Sequence, residues 1–143
     1  MIGRKNEKYI VTDLKGAPDT VSAGPEAVAE YSQFAKRVLW MSNKVIPGAY
    51  NMMFSWYFKP PPKPLEAHVH DYPEVLIFLG SYPEDPHDLG GEIEFWLEEE
   101  KYDLTMSCFI WVPRGMKHCP LVIKRVDRPI IHLGSSVRSD FKF

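Results

Sequence analysis

The sequence predicts an all-β protein, a small barrel or sandwich of short antiparallel strands, and three observations support this prediction. Apolar and polar residues alternate with a period of two in several segments, which is typical of strands with one buried face. The 143 residues include 13 prolines, and proline disfavours helix interiors and central strand positions. Strand-like segments also recur at short intervals between turn residues, a spacing typical of sandwiches and barrels.

The N-terminal part is predicted to differ from the rest. Residues 1–45 are expected to form an extension that packs on a barrel made by residues 46–143, within one domain overall. Residues 1–24 read as irregular, and a short helix is predicted to begin at Pro25, since proline suits a first helical position. This helix is expected to end before Trp40 or to turn into a strand near residues 37–41. The residues with helical spacing are Val28, Tyr31, Phe34, Ala35 and Val38.

The remaining segments alternate as strands do. From Asn51 the even-numbered residues to Phe58 form one strongly apolar face, which is expected to point into the core, and the prolines at residues 60–64 end this strand. Residues 81–91 are predicted to form a loop and residues 98–101 a polar turn. The further predicted strands and extended pieces are 65–70, 74–79, 92–97, 104–112, 121–123 and 129–133.

Composition and charge argue against several classes of protein. Hydrophobic residues make up 45% and charged residues 25%, with a net charge of −2, whereas nucleic-acid binders are usually basic. No apolar run approaches the ~18–20 residues that a membrane helix needs. The N-terminus lacks the apolar stretch of a signal peptide, so a cytoplasmic location is expected. Cys108 and Cys119 form no disulfide framework and are expected to be free thiols.

Histidines spaced two apart point to a metal site. His68 and His70 lie on the same face if the segment is extended, with Cα atoms roughly 6.6 Å apart, so that both imidazoles can reach one ion. Glu74 follows across a turn and can add a carboxylate. His118 is presented by a tight turn at residues 113–118, which proline and glycine shape.

These residues form two motifs that resemble those of the cupin family. His68-x-His70-xxx-Glu74 resembles the first cupin motif, and residues 113–118, with the pattern PxGxxH, resemble the second. The resemblance implies a cupin-type antiparallel jelly-roll barrel. It also implies one divalent transition metal held by His68, His70, Glu74 and His118. The chain departs from the usual motifs at turn and strand-end positions, namely Pro62, Gly80, Ser107 and Val122.

Alternatives to the metal site remain at this point. His68 and His70 could be surface residues of an edge strand, and Glu74 could be structural, since some cupins bind metal through three histidines alone. His132 could face the cavity or lie in the core, and His87 is expected in a loop. Cys119 should point away from the metal, because neighbouring side chains of an extended segment alternate. The ion could be Fe, Mn, Ni, Zn, Cu or Co.

The leading functional hypothesis is a small metal-dependent enzyme that acts on a small oxygenated organic molecule. Dioxygenase chemistry and isomerase or lyase chemistry both fit, and no catalytic residue is assigned. The alternatives are a non-catalytic module that binds or senses a small ligand and a storage-type structural role. No nucleic-acid or membrane partner is expected, and a homodimer is possible. Arg114, and Lys124 or Arg125 on the next strand, could bind an anionic substrate, although solvated surface charge is the more common fate of such residues. The predicted substrate pocket consists of Trp56, Phe58, Phe78, Trp111 and Arg114.

Overall fold

Eight β-strands carry the fold of the described residues. The computed structural model describes residues 3–18 and 30–137. A short 3-10 turn spans Glu7–Tyr9. Within the described ranges, no helix is long and apolar enough to cross a membrane. The strands are β1 (Ala35–Met41), β2 (Asn51–Tyr57), β3 (Glu74–Leu79), β4 (Asp88–Leu97), β5 (Glu100–Met106), β6 (Cys108–Val112), β7 (His118–Val126) and β8 (Ile130–Ser136).

The strands form two antiparallel sheets with the order of a jelly roll. The larger sheet has the order β1-β2-β8-β3-β6 and the smaller sheet the order β5-β4-β7. Bridges from Leu65 to Leu121 and from His68 to His118 add a short extended segment beside β7. Two antiparallel sheets between which the chain passes in this order form the double Greek key of a jelly roll. The predicted fold class is therefore confirmed. The division of the chain at residue 45 stays a prediction, although β1 pairs with β2.

The hydrophobic core lies between the two sheets. At about 1.5–3 kcal/mol for each large apolar side chain that is fully buried, it is the main source of stability. Inward-facing positions of β3, β4, β7 and β8 supply it. Its buried members are Phe78, Leu89, Ile93, Phe95, Cys119, Leu121, Ile123 and Ile130.

Strand β2 turns inward the face opposite to the one that hydrophobicity predicts. Ser55 is fully buried and Asn51 is 3% exposed, and Tyr57 lines an interior cavity. Phe54 and Trp56 lie on the other side of the strand and are half-buried, with ring centroids 6.1 Å apart. The predicted orientation is wrong because this part of the interior is a cavity with polar side chains. Hydrophobicity therefore does not mark the inner face of β2.

The predicted N-terminal helix falls partly outside the described residues. Its later positions can be compared, and Ala35 and Val38 belong to β1, which pairs antiparallel with β2. The helical prediction is wrong at Ala35, whereas Val38 belongs to the strand that was expected, as the alternative, near residues 37–41, and this strand is confirmed. Apolar spacing over so few residues fits a helix or a strand, and pairing with β2 decides between them.

Residues 104–112 form parts of two strands where a single strand was expected. β5 belongs to the smaller sheet and β6 to the larger one, and Ser107 lies where the chain crosses between them. The Ser107 hydroxyl accepts a hydrogen bond from the Gly80 amide at 2.9 Å and donates one to the Pro86 carbonyl at 2.7 Å. These hydrogen bonds fix the point at which the chain crosses between the sheets. The hydrophobicity of residues 104–112 shows no break at this point, so it does not reveal the crossing. The loop predicted at residues 81–91 is also shorter, because β4 already begins at Asp88.

Candidate metal centre

Three histidines and one glutamate converge on the wall of the interior cavity. The candidate ligand atoms of His68, His70, Glu74 and His118 all lie within 4.8 Å of one another. Glu74 Oε1 is 2.9 Å from His118 Nε2 and 3.2 Å from His70 Nε2. The ring centroids of His68 and His118 are 4.3 Å apart, and those of His70 and His118 are 4.7 Å apart. The fold thus brings together all four residues of the two motifs.

Backbone hydrogen bonds hold the two motifs side by side. The amides of His68 and His118 donate to each other's carbonyl oxygens at 3.0 and 3.1 Å. The Gly115 amide donates to the His70 carbonyl at 3.0 Å. Gly115 has a φ of +78°, a left-handed conformation that glycine adopts without steric penalty. The turn before His118 is therefore tied directly to the chain that carries the other two histidines, while Glu74 enters from the first position of β3.

A nearby backbone carbonyl orients each of the three imidazoles. A carbonyl oxygen only accepts, so each Nδ1 carries the proton and each Nε2 offers a lone pair to the cluster. Metal-binding histidines commonly have their second ring nitrogen held in this way. The carbonyl lies two residues away in each case: Nδ1···O is 2.8 Å for His68 and Glu66, 3.0 Å for His70 and Tyr72, and 2.9 Å for His118 and Met116.

The charges of the cluster favour an ionised Glu74. Burial raises the pKa of this carboxyl, but His118 and His70 together lower the pKa by more than burial raises it. The net pKa of Glu74 therefore lies below its ordinary value. For His118, burial lowers the pKa, whereas Glu74 and the Met116 carbonyl raise it, and the net pKa lies above the ordinary value. Glu74 is therefore an anionic donor at neutral pH.

The donor set fits a divalent transition metal. With metal–nitrogen bonds of ~2.0–2.1 Å, two ligands of one ion lie roughly 2.8–3.4 Å apart at right or tetrahedral angles, a range that includes the Glu74–histidine contacts of 2.9 and 3.2 Å. The buried Nε2 of His118 has no partner of hydrogen-bond geometry among the described residues, in spite of its short contact with Glu74. A bound cation would satisfy such an atom. Imidazole suits Zn, Cu, Fe and Ni, and the carboxylate also admits Mn.

A cavity of about 630 Å³ extends from this cluster between the sheets. Its apolar wall includes Leu76, Leu121 and Ile123, and its polar wall is formed by residues of β1, β2 and β8. The size is that of a site for a small organic molecule. The cluster and the cavity are thus parts of one site.

The five residues predicted for the substrate pocket are absent from the described lining of this cavity. Phe78 is fully buried in the core, and Trp111 is 59% exposed on β6. Arg114 is exposed, and Trp56 and Phe58 are half-buried. The prediction followed aromatic content, whereas Trp56 on β2 and Trp111 on β6 lie outside the described cavity lining.

Two of the basic residues considered for anion binding form surface ion pairs. Lys124 Nζ lies 3.9 Å from a carboxylate oxygen of Glu94, and Arg125 Nε lies 3.0 Å from Asp127. Neither cation is among the described residues that line the cavity.

Polar residues of β1, β2 and β8 on the cavity wall were not assigned to the site by sequence analysis. His132 is 5% exposed, and its Nδ1 donates to the Ile77 carbonyl at 3.1 Å. Burial lowers the pKa of His132 to about 4, against smaller opposing effects of that carbonyl and of Glu74. Arg37 and Tyr57 line the same cavity. The signal that identifies these residues is the strand register, which sequence alone does not supply: Arg37 lies opposite a small buried serine of β2.

Both cysteines are free thiols, as expected. Cys119 is 2% exposed and lines the cavity, although alternation predicts that it points away from the cluster. Its φ of +71° interrupts the extended conformation on which that prediction depends. Burial, followed by the charge of Glu74, raises the pKa of the Cys119 thiol to about 12. The thiol is therefore protonated at neutral pH, and its sulfur is not part of the four-residue cluster.

Comparison with known proteins yields structural similarity only. No protein-family model matches the chain, and no curated protein matches it by sequence. KdgF from Halomonas sp. is 19% identical, with a TM-score of 0.46 over 74% of this chain and 79% of that one. An RmlC-like cupin from Shewanella frigidimarina is 13% identical, with a TM-score of 0.44 over 74% of this chain and 77% of that one.

AerE from Microcystis aeruginosa is 13% identical, with a TM-score of 0.48 over 76% of this chain and 44% of that one. The jelly-roll assignment depends on the strand order of the chain itself. Proteins named as cupins are among the solved structures similar to this chain.

Proposed function

We propose that the chain is a metal-dependent enzyme acting on a small oxygenated organic molecule, by oxygen-dependent cleavage or by isomerase or lyase chemistry. One observation supports this above all: three imidazole lone pairs and one carboxylate converge on the wall of a cavity of about 630 Å³. A solely structural metal site would not need a cavity of that size beside it. One divalent transition metal per chain is the proposed cofactor.

The chain's own residues have separate tasks in this proposal. His68, His70 and His118 would hold the ion as neutral ligands, and Glu74 would balance part of its charge. A metal bound there supplies Lewis-acid polarisation of a substrate oxygen. Leu76 and the apolar residues of β7 keep bulk water from the reacting group, which strengthens electrostatic interactions inside the cavity.

Metal content of the purified protein is the first test. Elemental analysis of protein made without a metal-binding tag should give about one transition-metal ion per chain. His70→Ala should lower occupancy sharply, whereas His87→Ala, which removes an exposed turn histidine outside the cluster, should leave it unchanged. Full occupancy in a His68→Ala, His118→Ala double variant would show that the ion binds elsewhere.

Turnover is the second test. Oxygen uptake and product formation are measured with small enols, catechols and diketones, on metal-loaded and metal-depleted protein. Metal removal should abolish turnover, and oxygen consumption separates dioxygenase from isomerase or lyase chemistry. Tight binding of a small ligand without turnover in any metal-loaded form would favour a non-catalytic binding or sensing module.

We also propose that the chain forms a homodimer. β6 is an edge strand of the larger sheet, and on it Phe109 is 74% and Trp111 59% exposed. Exposed apolar edge strands promote association unless they are covered. Contact between β6 of one copy and β6 of a second copy would cover this strand in both subunits. Sedimentation at micromolar concentration should give the mass of a dimer, and a monomer would refute the proposal. The cytoplasmic location stays a prediction.

A further inference from the structure

We propose that the substrate carries a carboxylate and that Arg37, on the cavity wall formed by β1, binds it. This inference rests on the proposed function for the identity of the other end of the substrate, which would reach the metal cluster. Arg37 is not one of the residues that sequence analysis considered for anion binding. Those residues, Arg114, Lys124 and Arg125, all lie outside the described cavity lining.

The strand register directs Arg37 into the cavity. It lies opposite Ser55 of β2, and Ser55 in turn lies opposite His132 of β8. Side chains directly opposite one another in an antiparallel pair share a face of the sheet. Ser55 is fully buried and His132 is 5% exposed, so this row faces the interior. Arg37 accordingly lines the cavity together with His132.

An aromatic pair supports the guanidinium group. The Arg37 guanidinium carbon lies 4.0 Å from the centroid of the Tyr31 ring, within the range of a cation–π contact. The Tyr31 and Tyr57 rings are 6.4 Å apart, and both line the cavity. A guanidinium held over a ring has fewer conformations to lose on binding, and its planar donors suit bidentate contact with a carboxylate.

The charge of the described cavity wall also favours an anion. Glu74 is its only carboxylate, and that group already faces the histidines of the metal cluster. Arg37 and Lys63 are its two permanent cations. The described wall is therefore cationic even without a metal, although the whole chain has a net charge of −2. An anionic ligand would be attracted into the cavity against the overall charge of the protein.

The distance between the two ends sets the shape of the substrate. β3 is the third strand from β1 in the larger sheet, so Arg37 and β3 are about 14 Å apart across the sheet. The row of Arg37, Ser55 and His132 continues onto β3, and Glu74 lies four residues along β3 from that row, a further distance of about 13 Å along the strand. Long side chains at both ends shorten this span. A molecule that reaches both sites is therefore elongated, with the carboxylate at one end and a metal-binding oxygen at the other.

Binding of hexanoate and hexanamide tests the proposal, because the two probes differ mainly in charge. Affinities are measured by calorimetry on metal-depleted and on zinc-loaded protein. Hexanoate should bind metal-depleted wild-type protein at least about tenfold more tightly than hexanamide. Arg37→Gln should weaken hexanoate binding by about 10-fold to 100-fold, as expected for loss of a charged hydrogen bond. Arg37→Lys should weaken it less.

Arg114→Gln is the matched control, because it removes an exposed arginine that lies outside the described cavity lining. Equal loss in Arg37→Gln and Arg114→Gln, or no loss in either, would overturn the proposal. Equal binding of the two probes to wild-type protein would overturn it even if Arg37→Gln failed to fold. Arg37-dependent hexanoate binding without metal binding would instead refute the proposed function alone, and metal binding without Arg37-dependence would refute only this inference.

Discussion

Acidification should destabilise the protein through His132, and the size of the effect follows from its surroundings. Burial lowers the pKa of His132 to about 4 in the folded state, against about 6.5 in an unfolded chain. Between these two values the unfolded chain binds more protons, so stability is present above pH 6.5 and falls as the pH falls. The full effect is about 3 kcal/mol at about 1.36 kcal/mol for each pH unit, and about 2.5 kcal/mol is lost between pH 7 and 4.5.

Urea unfolding of metal-depleted protein at a series of pH values measures this loss. His132→Phe removes the titrating group but keeps a ring that can stack on Phe78, whose centroid is 4.4 Å from that of His132. The adjoining cavity has room for the larger ring. Wild-type protein should lose about 2.5 kcal/mol more than His132→Phe between pH 7 and 4.5. Titration of the other histidines cancels in this difference, and equal losses in the two proteins would refute the reasoning.

Three further predictions concern the metal cluster, a strand end and the thiols. Glu74→Gln should lower metal affinity at least about tenfold with little change in folding, because it keeps the side-chain volume but loses the negative charge; equilibrium dialysis measures it. Gly80→Ala should cost more than about 3 kcal/mol in urea unfolding, since a Cβ there would lie 1.8 Å from a backbone oxygen of β4, whereas Gly134→Ala meets only ordinary contacts. Thiol titration of unfolded, non-reduced protein should find both Cys108 and Cys119 free; finding neither would contradict their assignment.

The four candidate ligands could be found from sequence because each motif is short. His68 and His70 lie on one local segment, and the turn before His118 is defined by a proline and a glycine close to it. The spacing within each motif therefore specifies most of the local geometry. The two motifs meet because the His68 segment pairs with β7. Sequence analysis did not predict this pairing, and only the resemblance to cupins implied in advance that the four residues share one ion.

The cavity wall could not be found in the same way. On β2 the inner positions include Asn51 and Ser55, whereas the outer positions include Phe54 and Trp56. Period-two alternation shows that two faces exist, but it identifies the buried face only where apolar packing fills the interior. Polar residues on the part of the cavity wall that β2 contributes reverse that rule. Ser107 presents a similar difficulty, because the chain changes sheets there within an unbroken run of strand-forming residues.

The carbonyl contacts of the three imidazoles have a consequence for how the protein could diversify. Each ligand ring is held by a carbonyl two residues away, on its own stretch of chain. The far wall of the cavity belongs to β1, β2 and β8, which carry none of these stretches. Substitutions there can alter which molecule is accepted while the ion-binding geometry is inherited intact. Libraries limited to Arg37, Met53 and Tyr57 should therefore yield variants with new ligand preferences and unchanged metal content.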